Sequence, residues 1–313
     1  MTKTLAASSA NRPVLSSWLF ALPLPLLEAG LVLAWSSGFI GARFSLDYAP
    51  ALLVVFWRCV LVSVVLLPWV IGPLRKASWA VLLRNLGIGL LAMAGYLGGV
   101  VQGIALGVPA GIAALFADLL PIGTALLGSV LLGHTLTRQV AGGLIIGLAG
   151  VLLVTHDALA FGQAPWWAYS LPLLGMFSLA LATVLQKRCA PAQTLGLLPN
   201  LWLQCAVSGV VFAVAAGSQH SLLPIPSTGF VLSVLWTATV STLGGYGLYW
   251  ICLRRASATR VASVLYLSPA VTLVGAWTLF DDPLSWLMAA GTLVSALGVW
   301  RVVRAEGTDR SAS

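Results

Sequence analysis

Three ionisable side chains, Glu28, Arg58 and Asp118, fall inside long apolar stretches of the sequence. A charge at the centre of a lipid bilayer costs about 2.5 to 3.5 kcal/mol on insertion scales, so such groups usually face a cavity or a partner. Two interpretations stay open. The three side chains line a solute pathway and take part in proton coupling, or Glu28 or Asp118 pairs with Arg58 and only joins two helices.

Glycines and large aromatic residues form a second group of candidates. Tyr96, Gly99 and Gly103 fall on one face at helical spacing. Tyr246, Tyr249 and Trp250 have the i, i+3, i+4 spacing that brings three rings to one side of a helix. Such rings can line a cavity and stack on an aromatic or aliphatic solute. The predicted cavity residues are Tyr96, Gly99, Gln102, Trp202, Tyr246, Tyr249, Trp250 and Tyr266.

Each of these assignments has a structural alternative. Glycine-rich faces often serve helix packing, and aromatic residues often form interfacial belts, as we expect for Trp69, Trp79 and Trp166. Trp202 and Tyr266 lack a same-face aromatic cluster, as do Trp35 and Gln204, so periodicity gives these four less support.

Two prolines, Pro121 and Pro269, fall inside predicted helices. Proline removes one backbone hydrogen bond and clashes with the preceding turn, so both are expected to kink their helices. The kinks are interpreted either as hinges for a rocking motion or as fixed bends that shape a cavity.

The elements that position these residues follow from the composition. Hydrophobic residues make up 59% of the 313 positions, charged residues only 8%, and the mean hydropathy is +0.99. Apolar runs of about 20 residues favour transmembrane helices over barrel strands, which would alternate polar and apolar residues. The sequence therefore predicts an all-α polytopic membrane protein. Its runs lie near 18–42, 50–73, 81–105, 108–132, 138–155, 166–188, 197–216, 228–253, 258–280 and 284–303.

The positive charges are scattered at the ends of these runs. If the N-terminus is cytoplasmic, 14 of the 16 basic residues lie in cytoplasmic segments, Arg43 lies outside and Arg58 lies within a span. This bias predicts that both termini are cytoplasmic and explains the net charge of +8 without a nucleic-acid partner. The four cysteines lack metal-ligand spacing, so we expect free thiols, no metal site and no cofactor.

An internal repeat relates the two halves of the chain. A shift of 148 residues aligns 108–155 with 256–303 and pairs Pro121 with Pro269. Five spans per half is an odd number, so the second half enters the membrane upside down. The predicted organisation is a cytoplasmic tail at 1–17, a five-helix repeat at 18–155, an inverted five-helix repeat at 166–304, and a cytoplasmic tail at 305–313.

The stretch AWSSGFIGARF at Ala34–Phe44, FWR at Phe56–Arg58 and the two prolines with their downstream glycine-rich helices resemble the drug/metabolite transporter superfamily, EamA type. The resemblance covers about residues 20 to 304. Within that superfamily the chain resembles the YddG-like aromatic amino-acid exporters. This resemblance implies ten helices, a bacterial inner membrane and export of small amphipathic metabolites, with aromatic or other neutral amino acids as the expected substrates.

Other functions are kept as alternatives. A multidrug or other metabolite carrier would use the same fold. An intramembrane enzyme would need a converging nucleophile, base or metal cluster, and the three histidines, His134, His156 and His220, are dispersed. A receptor or scaffold would not need an inverted repeat. No P-loop occurs, so gradients would supply the energy. Ten helices around one site could work as a monomer.

Overall fold

The computed structural model describes residues 22–108, 110–117, 119–133, 137–155, 164–189, 195–219, 221–280 and 286–311, and these ranges contain helices and no strand. We number the helices in chain order: α1 Leu24–Ser45, α2 Ala51–Lys76, α3 Trp79–Ala105, α4 Ala110–Ala117, α5 Leu120–Leu132, α6 Arg138–Thr155, α7 Trp166–Arg188, α8 Leu197–Gly217, α9 Thr228–Arg255, α10 Ala258–Phe280 and α11 Trp286–Ser311.

Seven of these helices, namely α1, α2, α3, α7, α8, α9 and α10, are long and apolar enough to cross a bilayer. The predicted class, an all-α polytopic membrane protein, is therefore confirmed. The run predicted at 108–132 contains two shorter helices, α4 and α5. Large apolar side chains of a kind that a water-soluble protein usually buries lie exposed on the outside of the helices, including Leu33, Val64, Val130, Val210 and Val214. Such a surface suits hydrocarbon and not water.

Local sequence signals set the helix ends. The Ser78, Ser227 and Ser257 side chains each accept a hydrogen bond from a backbone N–H in the first turn of α3, α9 and α10. These bonds satisfy donors that a helix start leaves free. Basic residues occupy the last turns of four helices, where they complement the helix dipole: Arg43, Arg75, Lys76, Lys187, Arg188, Arg254 and Arg255.

Three helices depart from α geometry near their middle. The segment Leu90–Gly95 of α3 and the segment Thr237–Tyr246 of α9 are π-helical, and Leu265–Leu267 of α10 is a 3₁₀ turn. The first π segment ends just before Tyr96, and the second ends at Tyr246.

Helices from the first and second halves of the chain pack extensively against each other. α6 packs along α11, and α2 packs along α8. α1 packs against the π segment of α9, the second half of α3 packs against α7, α5 packs against α7, and α10 packs against α1.

Glycines allow α6 and α11 to approach closely in antiparallel orientation. A Cβ atom at Gly143 would lie 3.0 Å from the Gly298 carbonyl oxygen, and one at Gly150 would lie 2.6 Å from that of Gly291. Halfway between these contacts, the Ser295 hydroxyl donates to the Gly147 carbonyl at 3.4 Å. Small residues permit this backbone contact between membrane helices.

Candidate functional site

Four buried aromatic rings form the centre of the molecule. The Trp35 ring on α1 lies 5.5 Å from that of Tyr96 on α3, and 5.1 and 5.4 Å from those of Tyr246 and Tyr249 on α9, between ring centroids. Each residue is at most 6% exposed. We call Trp35, Tyr96, Tyr246 and Tyr249 the aromatic cluster. Tyr96, Tyr246 and Tyr249 were predicted cavity residues. Trp35 had less support from the sequence, because it lacks a same-face aromatic cluster.

Polar partners fix the rims of this cluster. The Tyr249 and Thr183 hydroxyls share a hydrogen bond of 2.5 Å, and the Tyr246 hydroxyl donates to the Ala92 carbonyl at 3.1 Å. The Trp250 ring meets that of Tyr249 edge to face and donates from Nε1 to Gln204 Oε1 at 3.0 Å. A buried tyrosine or tryptophan usually has such a partner, and here the partners come from three other helices.

The two π segments meet at this centre. Ala92, whose carbonyl accepts from Tyr246, belongs to the π segment of α3, and Tyr246 ends the π segment of α9. Within the latter, the Thr242 hydroxyl donates to the Thr237 carbonyl at 2.9 Å. Single π turns are rare and frequently mark functional sites.

Arg58 reaches the same region from α2. Its Nε donates to Thr242 Oγ1 at 2.6 Å, and the residue is only 2% exposed. Its Nη2 has no hydrogen-bond partner among the described residues. Within the apolar core, Thr242 therefore binds Nε of the guanidinium, and Nη2 is available to a further acceptor.

Glu28 forms its ion pair elsewhere. Its two carboxylate oxygens accept from Arg260 Nε at 2.8 Å and Nη2 at 3.1 Å. The predicted pairing of Glu28 with Arg58 is therefore not formed, because α10 places Arg260 beside the first turns of α1. Asp118 lies outside the described residues.

Basic side chains tie the helix ends together around this ion pair. Arg255 donates to the Leu22 carbonyl, Arg254 to the Leu195 carbonyl and Lys187 to the Ala256 carbonyl, at 2.6 to 2.7 Å. We call this end of the helix bundle, where α1 begins, the basic end.

A cavity of about 440 Å³ opens at the opposite end of the bundle, where α1 ends and α2 begins. The predicted cavity residue Gln102 lines it. The other lining residues are Leu46, Ala49, Pro50, Ala51, Leu52, Ala105 and Gln219.

Three other predicted cavity residues lie away from the aromatic cluster. Gly99 packs on the backbone of α7 at Leu171 and Gly175, which matches the packing alternative. Trp202 donates from Nε1 to the Ser63 carbonyl at 2.8 Å and joins α8 to α2. Tyr266 packs against Gly147 in a separate small core with α5, α6 and α11.

The two prolines start helical segments instead of interrupting them. Pro121 is the second residue of α5, and Pro269 is the second residue of the segment Ser268–Phe280 that follows the 3₁₀ turn of α10. Proline is tolerated in a first turn because its missing N–H would have no partner there. The break in α10 precedes Pro269, and α4 ends just before α5.

Sequence comparisons agree with this architecture. The model of the EamA-like transporter family matches residues 25–156 and again residues 166–304. A "Probable amino-acid metabolite efflux pump" of Escherichia coli K12 is 28% identical over 278 residues, covering 86% of this chain and 91% of the relative. The "Uncharacterized inner membrane transporter YedA" of the same strain is 28% identical over 286 residues, with 88% and 90% covered.

The fold also occurs among solved structures. One of them, described only as "Crystal structure of protein", superposes with a TM-score of 0.74 and 18% identity over 91% of this chain and 98% of its own. Since the family model accounts for both halves, the chain belongs to the EamA-like transporter family, within the drug/metabolite transporter superfamily.

Proposed function

We propose that the protein exports small amphipathic metabolites, aromatic or other neutral amino acids foremost, across a bacterial inner membrane. The observation that carries this proposal is the buried aromatic cluster, which gathers rings from three helices beside one guanidinium. Aromatic faces suit an amphipathic solute because they stack on apolar side chains and also accept polar edges. The names of two relatives, a probable amino-acid metabolite efflux pump and an inner membrane transporter, support the same substrate class and membrane.

The architecture that we propose is ten transmembrane helices in two inverted repeats, 18–155 and 166–304, with both termini in the cytoplasm. Contacts support it, because exchange of the halves carries the pair α1–α9 into α7–α3 and the pair α10–α1 into α5–α7. The contact of Gly143 with Gly298 likewise becomes that of Gly291 with Gly150. Ser295 and Gly147, which touch each other, differ by the 148 residues of the repeat. Equivalent residues meet in this way on a two-fold axis.

Alternating access is the proposed mechanism. At the basic end, which we assign to the cytoplasm, the Glu28–Arg260 pair and three side-chain-to-carbonyl bonds close the bundle. At the other end lies the 440 Å³ cavity that Gln102 lines. In this state the aromatic cluster fills the middle, so a solute must displace these rings as the two halves rock about it.

The test is uptake into proteoliposomes that contain the purified chain. The panel contains radiolabelled phenylalanine, tryptophan, leucine, a nucleoside and a cationic drug. We expect saturable flux of the neutral amino acids, and flux of the drug alone would favour the multidrug alternative. Absence of saturable flux for every solute would reject the proposal. The same vesicles with and without a pH gradient test obligatory proton coupling, which an unchanged flux would eliminate.

A further inference from the structure

The guanidinium of Arg58 is the least satisfied charge in the described core. Its Nε is bound to Thr242, while Nη2 has no hydrogen-bond partner among the described residues. The described carboxylates do not neutralise it, since Glu28 is bound to Arg260 and Asp47 to Arg43. A buried cation that no described carboxylate neutralises is costly, and intramembrane charges of this kind usually have a functional role.

The unsatisfied Nη2 of Arg58 is a hydrogen-bond donor that carries positive charge. A ligand that satisfies it must bring an acceptor and negative charge, and a carboxylate brings both. Tyr246, four residues after Thr242 on α9, belongs to the aromatic cluster. A carboxylate bound at Arg58 therefore places the rest of the solute against aromatic rings.

We propose that Arg58 binds the carboxylate of the transported solute and that Thr242 orients the guanidinium for it. This inference rests on the proposed function and narrows it. The substrates are carboxylates with an apolar or aromatic side chain, and amines without a carboxylate are excluded. The assignment also gives the Thr237–Tyr246 π segment a role, because it presents Thr242 to Arg58.

The first test uses the unaltered protein in proteoliposomes. Uptake of radiolabelled L-phenylalanine is measured against L-phenylalaninamide, phenethylamine and 3-phenylpropionate as competitors. We expect 3-phenylpropionate to compete and the two carboxylate-free compounds to inhibit roughly 10- to 100-fold less well than phenylalanine, the range for losing hydrogen bonds to a charged group. Equal inhibition by the amide, or transport confined to cations, would overturn the inference while leaving a transporter. Lack of flux for every solute would instead reject the proposed function.

The second test changes Arg58. Arg58→Gln should raise the KM for phenylalanine, and L-phenylalaninamide should then inhibit about as well as phenylalanine itself. Arg58→Lys should keep part of the preference for the carboxylate, because it retains the positive charge without the paired donors of the guanidinium. Arg84→Gln, at an exposed position of α3, is the matched control and should behave as wild type. An unchanged preference for the carboxylate in a folded Arg58→Gln protein would contradict the assignment. If that variant does not fold, the competitor series on the unaltered protein decides.

Discussion

At the scale of single residues, the centre of the protein depends on Trp35. Its ring is the common neighbour of three tyrosines that come from two other helices. The Tyr249 hydroxyl is hydrogen-bonded to Thr183 and the Tyr246 hydroxyl to the Ala92 carbonyl, so the cluster combines apolar faces with fixed polar groups. Removal of the Trp35 ring should therefore disturb the proposed solute site more than loss of either tyrosine hydrogen bond.

We expect Trp35→Leu to reduce phenylalanine flux about tenfold, since each lost aromatic pair contributes about 0.5 to 1.5 kcal/mol. Flux is measured in proteoliposomes and normalised to inserted protein. Trp79→Leu is the control, because Trp79 is 78% exposed at the start of α3. Equal losses in the two variants would argue against a central role for Trp35.

The Glu28–Arg260 pair allows a second prediction at this scale. Glu28→Gln should lower the free energy of unfolding by about 1.5 to 3 kcal/mol, because it removes the carboxylate that accepts two hydrogen bonds from a partly buried guanidinium. Glu28→Gln combined with Arg260→Gln should recover part of the loss. Thermal unfolding in detergent measures both.

The matched control is Asp47→Asn, which breaks the exposed Arg43–Asp47 pair of α1 and should cost about 0 to 1 kcal/mol. A Glu28→Gln protein as stable as this control would show that the basic end is not held by the ion pair.

At the scale of elements, irregular helical segments position the site. The π segments of α3 and α9 supply the Ala92 carbonyl and the Thr242 hydroxyl, and glycine contacts bring α6 and α11 together. Regular α-helices in these places would rotate the following aromatic residues around the helix axis. The site therefore depends on how each helix is interrupted as well as on which residues it carries.

We expect Gly150→Ala to destabilise the protein by about 1 to 3 kcal/mol, the usual cost of overpacking. The added methyl group would lie 2.6 Å from the Gly291 carbonyl oxygen. Gly142→Ala on the same helix is the control, because a Cβ there meets nothing within 4 Å. Unfolding temperatures that do not differ between the two variants would contradict close packing of α6 on α11.

Pro269→Ala should impair transport more than folding. Alanine restores the backbone N–H and lets the helix run continuously through the 3₁₀ turn of α10, which would oppose a hinge there. Flux and unfolding temperature are compared with those of Pro68→Ala, at an exposed position inside α2. Wild-type flux in Pro269→Ala would refute the hinge role of Pro269 and, by equivalence, of Pro121.

At the scale of the whole molecule, the Glu28–Arg260 pair and three side-chain-to-carbonyl bonds hold the basic end together, and the cavity lined by Gln102 lies at the other end. In the proposed inverted repeat, each helix pair at one end has an equivalent pair at the other end. The difference between the two ends can therefore be reversed when the halves rock. Alternating access requires that at most one end is open in any single state.

Topology can be measured with single cysteines at Thr135 and Pro283, which are equivalent by the 148-residue shift. With Cys189→Ser as background, a membrane-impermeant maleimide applied to intact cells should label Pro283→Cys and not Thr135→Cys. A permeant maleimide that labels both serves as the control. Labelling of both positions from the same side would disprove the inverted repeat.

The sequence by itself determined the class of the protein and most of its spans. The ends of α2, α3, α9 and α10 lie within three residues of the predicted limits, because hydropathy and helix-capping signals act over one or two turns. The shared face of Tyr246 and Tyr249 was predictable for the same reason, since helical periodicity is local.

Only the tertiary structure decided which residues meet. Glu28 pairs with a residue 232 positions away, Trp35 lies among tyrosines of two other helices, and Gly99 packs on α7 instead of lining the centre. Periodicity tells which face of a helix a side chain occupies but not which helix that face contacts. The contact depends on the rotation and crossing of helices far apart in the chain, and on π and 3₁₀ turns that shift the register within α3, α9 and α10.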